Sequence, residues 1–238
     1  MKNILIHTVR ASAFGVVATM APMAYAQDQD PFADEDQEVL ELDVEDPAEF
    51  EESETVDLLT GSLHEDFEQA LAELGESELE SSAEYIDNAS FMIASTAEEA
   101  EGSEKTVLSR ESEGLSALSK KVAAGKVKDA KVIKESFAKA HHVLANFYAT
   151  AAKSAEETEQ GNLLLGAVYH TEHAASMAGY KMASSEVASL KAAKVMAAEL
   201  YDGGEVSKDT ITASFKSLAK ASQSIGTQLK ASGKVRKS

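Results

Sequence analysis

Residues 48–238 contain no proline, and that gap constrains the fold more than any other feature of the chain. Proline ends or kinks helices and cannot donate to a sheet ladder, so a long stretch without it favours uninterrupted helices. The three prolines, Pro22, Pro31 and Pro47, all lie near the N-terminus, and the whole chain of 238 residues has only 13 glycines. Cysteine is absent as well. Thiolate zinc sites, iron–sulfur clusters, covalent c-type haem, disulfide scaffolds and cysteine nucleophiles are thereby excluded.

The first 26 residues read as a targeting segment. Lys2 and Arg10 make a basic start, Ala11 to Ala21 is a run of small and apolar residues, and Ala24-Tyr25-Ala26 is an A-x-A cleavage signal before Gln27. The apolar run is shorter than the roughly 20 residues that a membrane-spanning helix needs. A soluble protein in the periplasm or outside the cell, cleaved near Ala26 and without a membrane span, is the expectation. Without cysteine, its fold must be held by packing alone.

Charge divides the remainder. Gln27 to Glu104 carry 28 Asp/Glu and no Lys or Arg, whereas Lys105 to Ser238 carry 20 Lys/Arg against 13 Asp/Glu. The formal charge of −19 becomes −21 once Lys2 and Arg10 are removed. Residues 27–61, with two prolines and dense Asp/Glu, read as a disordered acidic arm kept open by self-repulsion. A calcium loop starting at Asp28 fails, because Ala33 and Val39 stand where an EF-hand needs Gly and Glu.

Residues 62–238 read as a helical domain. Ser62-x-x-Glu65 and Ser77-x-x-Glu80 predict capping boxes, with Gly75 as the stop between them. Leu79, Ala83, Ile86, Ser90, Ile93, Ala97 and Ala100 advance alternately by four and three, which is a helical seam. Residues 62–101 are acidic helices ahead of a basic helical bundle over 103–238, and the acidic helix from about Ser77 to Glu101 is expected to dock electrostatically on that basic region. Further helices are expected over Gly102 to Gly125, Asp129 to Ala155, Asn162 to Ala178, Ser184 to Tyr201 and Lys208 to Ala231, punctuated by Gly161, Gly179 and Gly203-Gly204. The fold class is all-α, as an antiparallel helical bundle or a stack of helical hairpins joined by short loops.

Ile133-x-x-Ser136-Phe137 recurs 78 residues later as Ile211-x-x-Ser214-Phe215, each after a Gly-x-Val turn at Gly125 and Gly204. This hints at two helical units of common design. Leu144, Ala145 and Tyr148 resemble the first helix of a tetratricopeptide repeat. The resemblance covers that one helix, since Glu157 and Gly161 stand where the family's second helix places a small residue and an aromatic.

The one constellation able to carry chemistry is histidine. His141, His142, His170 and His173 fall on one expected hairpin. On the first helix the apolar face is Ile133, Phe137, Ala140, Leu144, Tyr148 and Ala151, which puts His141 on its flank and His142 nearly opposite. On the second, His170 sits on the inner face and His173 beside it. His170 is expected in the core, bonded to Tyr148 or a backbone carbonyl, with the other histidines at the surface. The sharper alternative is a divalent transition-metal site of His141, His170 and His173, since imidazole suits zinc, copper or nickel. No cofactor is otherwise implied.

Catalytic patterns are missing. Ser136-x-x-Lys139 and Ser217-x-x-Lys220 lack the companion motifs of serine acyl transferases, and there is no nucleophile elbow, P-loop, dinucleotide fingerprint or His-Glu-x-x-His. Scattered aromatics and strong negative charge argue against nucleic acid. The sequence therefore predicts no enzyme. It predicts an exported interaction or structural module that meets a protein partner through its helical surface or acidic arm, with a periplasmic metal-binding or metal-stress protein as the alternative.

Overall fold

The computed structural model describes residues 62–235, with side chains through residue 231. The expected leader over 1–26 and acidic arm over 27–61 lie outside the described residues. Among the described residues the protein is all-α, with seven helices and no strand. These are α1 (Ser62–Glu76), α2 (Leu79–Glu99), α3 (Gly102–Ala123), α4 (Ala130–Ala151), α5 (Glu157–Ala178), α6 (Ser184–Tyr201) and α7 (Lys208–Val235). No described helix is long and apolar enough to cross a membrane.

Helix ends follow the backbone's need to satisfy its last carbonyls. At Gly125, Gly179 and Gly203 the chain turns left-handed, and two amides fold back on the last turn, such as Gly179 N onto Ser176 O (3.0 Å) and Tyr180 N onto Ala175 O (2.8 Å). The same closure ends α1 at Ser77, at φ 68°, with Glu78 N donating to Glu73 O at 2.9 Å. Gly75 is thus inside α1 rather than its stop. Nor does Ser77 cap α2, because it is committed to closing α1 and the N-cap position falls to Glu78. Asp129 does cap α4, its carboxylate accepting from Lys131 N at 2.9 Å.

Gly161 also departs from expectation. It lies inside α5, where a Cβ would collide with the backbone of α6 at Tyr201 N, Ala197 O (2.6 Å) and Tyr201 Cα (2.9 Å). The glycine serves close helix approach, not helix termination.

Packing uses small residues throughout. α2 packs on α1 and α3, α5 on α4 and α6, and α7 on α6, α4 and α5. Between α2 and α3, Ser90 Oγ donates to Ser112 O and Ser112 Oγ to Ser90 O, both at 2.9 Å, while Ser119 Oγ donates to Ala83 O at 2.8 Å. Ile86, Ile93, Leu108, Leu115 and Val122 fill the space between these bonds. The acidic helix α2 thus packs on α3, the first helix of the basic region, through apolar burial and serine hydrogen bonds, which small side chains permit at short range.

The 78-residue spacing seen at Ile133 and Ile211 extends over three helices. α2 and α5 begin 78 residues apart at Leu79 and Glu157, α3 and α6 end so at Ala123 and Tyr201, and α4 and α7 begin so at Ala130 and Lys208. Buried positions follow: Ile86 and Leu164, Ala89 and Ala167, Leu118 and Met196, Val122 and Leu200. The left-handed Gly125 corresponds to Gly203 rather than to Gly204.

Candidate metal centre

Helix α1 presents Leu63, Phe67, Ala70 and Leu74 to the core at spacings of three and four. Phe67 stacks on Phe137 of α4, with ring centroids 3.8 Å apart and planes within 12°. This stack decides the site. His64 lies one turn before Phe67 and His141 one turn after Phe137, so docking the two phenylalanines brings those histidines together, ring centroids 5.7 Å apart.

Helix α5 completes the group from the other side. His170 and His173 are one turn apart on its inner face, and the His173 ring lies 5.3 Å from that of His141 and 3.6 Å from that of His64. One ring nitrogen from each of His64, His141 and His173 lies within 4.8 Å of those of the other two. Tyr169 flanks the group, its ring 4.1 Å from His173.

His170 occupies a different place. Its Nδ1 lies 2.9 Å from Nδ1 of His141, and its ring lies parallel to Tyr148 at 5.3 Å. His141 and His170 are both 0% exposed. His170 is thus a core histidine as expected, but its hydrogen-bond partner is His141 rather than Tyr148's hydroxyl or a carbonyl. His141 is buried rather than at the surface, because α1 covers the flank of α4 and the edge of Phe67 meets its ring at 5.2 Å and 87°. His142 turns away, half-buried against α7 with Nδ1 3.2 Å from Ser222 Oγ.

Three buried ring nitrogens of the cluster have no hydrogen-bond partner in the protein: His64 Nδ1, His141 Nε2 and His170 Nε2. The other nitrogen of His64, Nε2, lies 3.3 Å from Glu68 Oε1, one turn along α1. Buried polar atoms are nearly always paired, so such a concentration of orphans marks a place built for something else.

All four rings are neutral near pH 7. Burial pushes His141 well below the ordinary imidazole range, assisted by His170, His173 and His64. Burial, with His173 and His64, takes His170 down to about 3; burial, with His64 and Lys194, takes His173 down to about 4. His64 is lowered too, burial outweighing the neighbouring Glu68 and Glu65 carboxylates. Neutral imidazole with a free lone pair is the form that ligates metals.

Of the three histidines singled out from the sequence, the structure brings His141 and His173 together and places His170 behind His141. His64 and Glu68 escaped sequence reasoning because they lie on another helix, 77 and 73 residues before His141. The only local signal was His64 one turn before a core phenylalanine and one turn before a carboxylate. No protein-family model, no curated protein and no solved structure matches this chain.

Proposed function

We propose that this is an exported, non-catalytic helical protein that binds a divalent transition metal through His64, His141 and His173. The observation that supports this reading is the convergence of three neutral imidazoles, two of them with a buried ring nitrogen that has no partner, His64 Nδ1 and His141 Nε2. Export rests on the A-x-A leader, and the lack of catalytic motifs supports a binding role. In this reading the described helices form an antiparallel bundle of stacked hairpins, and the metal ties α1 to the α4–α5 pair.

The donor set selects the metal. Three imidazole nitrogens without thiolate suit zinc, copper(II) or nickel and disfavour calcium or magnesium, which take oxygen ligands. Tetrahedral zinc at about 2.0–2.1 Å from each nitrogen requires nitrogens about 3.3 Å apart. Rings whose donors lie within 4.8 Å need only small side-chain rotations to close on the ion.

Calorimetric titration of the protein with Zn²⁺, Cu²⁺ and Ni²⁺ tests this. One site per chain tighter than micromolar is expected, weakened at least a hundredfold by His64→Ala or His173→Ala. Binding no tighter than about millimolar, or unchanged in the His64→Ala/His173→Ala double variant, sinks the proposal.

A second reading, an interaction module, draws on Phe91, which is 73% exposed on the acidic helix α2. An exposed aromatic side chain is the kind of anchor that partner surfaces use. Sedimentation of wild type and Phe91→Ser over a range of concentrations checks self-association, with wild type the more associated form; equal, monomeric behaviour removes a second copy as the partner.

A further inference from the structure

We propose that His170 is the positioning residue of this metal site: it accepts the Nδ1 proton of His141 and thereby leaves His141 Nε2 as the bare nitrogen that binds the ion. The inference rests on the metal-binding reading above and assigns the device that makes one of its ligands competent.

Two neutral imidazoles whose Nδ1 atoms are 2.9 Å apart can share a hydrogen bond only if their tautomers differ. One ring must carry its proton on Nδ1 and the other must not. The tautomers are therefore coupled, so that one Nε2 of the pair is bare and the other is N–H. Both Nε2 atoms are buried and without a partner, so neither arrangement has an obvious local advantage. A cation at His141 Nε2 breaks that tie. It requires the proton on His141 Nδ1, and His170 Nδ1 is the acceptor placed to receive it.

His64 needs no such help. A carboxylate can only accept, so Glu68 Oε1, 3.3 Å from His64 Nε2, holds the proton there and leaves Nδ1 bare. Glu68 is exposed, which keeps its charge solvated. At the fully buried position behind His141 a carboxylate would be costly, and a neutral imidazole supplies an acceptor without that cost. The plane of His170 is fixed by its parallel stack on Tyr148 at 5.3 Å. The Tyr148 ring lies against Gly166 of α5, where a Cβ would meet it at 3.5–3.6 Å, an ordinary contact distance.

The test compares wild type with His170→Phe, which keeps an aromatic ring against Tyr148 but removes the acceptor, and His170→Asn, whose side-chain oxygen restores an acceptor near Nδ1. Zn²⁺ affinity is read by competition with a chromophoric chelator, and the His141 ring tautomer by ¹⁵N–¹H correlation in the zinc-loaded protein. The expected result is a 10- to 100-fold weaker affinity in His170→Phe, recovery to within a few-fold in His170→Asn, and a His141 ring protonated at Nδ1 and metal-bound at Nε2 in wild type. If zinc-loaded wild type shows His141 bound through Nδ1, the role of His170 is overturned without recourse to any variant. Folded His170→Phe that binds within twofold of wild type overturns it also, leaving the metal site standing. Wild type that binds no Zn²⁺ removes both.

Discussion

The Nδ1 atoms of His141 and His170 meet at 2.9 Å in the protein interior, where neither side chain reaches solvent. Helix α4 supplies one ring and helix α5 the other, and the pair is flanked by Tyr148, Phe67 and the half-buried His64 and His173. Such a contact is stable only while at least one ring is neutral, because two imidazolium rings would present two donors to each other.

Stability should consequently fall with acid. The folded pKa values of His170 and His173, about 3 and about 4, lie below the unfolded imidazole value. Between the folded and unfolded values the unfolded chain binds more protons, so stability is full above about pH 6.5 and declines as pH drops towards 4. For His170 alone the loss from pH 7 to pH 5 is about 2 kcal/mol, from about 1.36 kcal/mol per pKa unit. Urea denaturation at pH 7, 6 and 5 checks this, and a flat midpoint across that range contradicts it.

Metal should stabilise the fold by mass action. Free Zn²⁺ at a hundredfold excess over its dissociation constant adds about 2.7 kcal/mol, or about 5–10 °C in Tm for a domain of this size. His64→Ala should abolish that gain while leaving the metal-free melting temperature close to wild type, since His64 is only partly buried. Thermal scans with Zn²⁺ and with chelator separate the two effects.

Ser90 and Ser112 should be strongly coupled. Each hydroxyl donates to the other residue's carbonyl at 2.9 Å, and the two oxygens lie 3.2 Å apart. Ser90→Ala or Ser112→Ala should each cost about 1–2 kcal/mol by leaving a buried carbonyl without its donor. A double-mutant cycle by chemical denaturation should then show non-additivity of at least about 0.5 kcal/mol.

Gly161→Ala should be among the most damaging single substitutions in the α5–α6 pair. The added methyl would meet the α6 backbone, including Ala197 O at 2.6 Å, and a backbone cannot step aside as a side chain can. Overpacking of this kind costs about 1–3 kcal/mol or more. Gly114→Ala, with nothing within 4 Å of its Cβ position, should instead be neutral or stabilising, because helix propensity alone then decides. Denaturation midpoints of the two variants measure the contrast.

Much of the helical layout was legible locally. The three-and-four spacing of Ile86, Ser90, Ile93 and Ala97 and of Ile133, Phe137, Ala140 and Leu144 marks buried faces that the structure reproduces. Boundaries fixed by nearby atoms were also readable, as with Asp129 capping α4 and Gly179 closing α5. What misled was glycine. Gly75 and Gly161 lie within helices, because one site was closed by Ser77 instead and the other is required by a neighbouring helix that no local pattern names.

By itself the sequence determined that residues 62–235 are helical and that His170 faces inward, because periodicity and side-chain polarity act within a few turns. Only tertiary structure decided that His141 is buried, that its partner is His170, and that the third ring beside His141 and His173 is His64. Those facts depend on the Phe67–Phe137 stack, 3.8 Å between centroids, which docks α1 across α4. A contact between residues 70 positions apart leaves no periodic trace in the sequence, since its free energy comes from burying two surfaces that only the folded chain brings together.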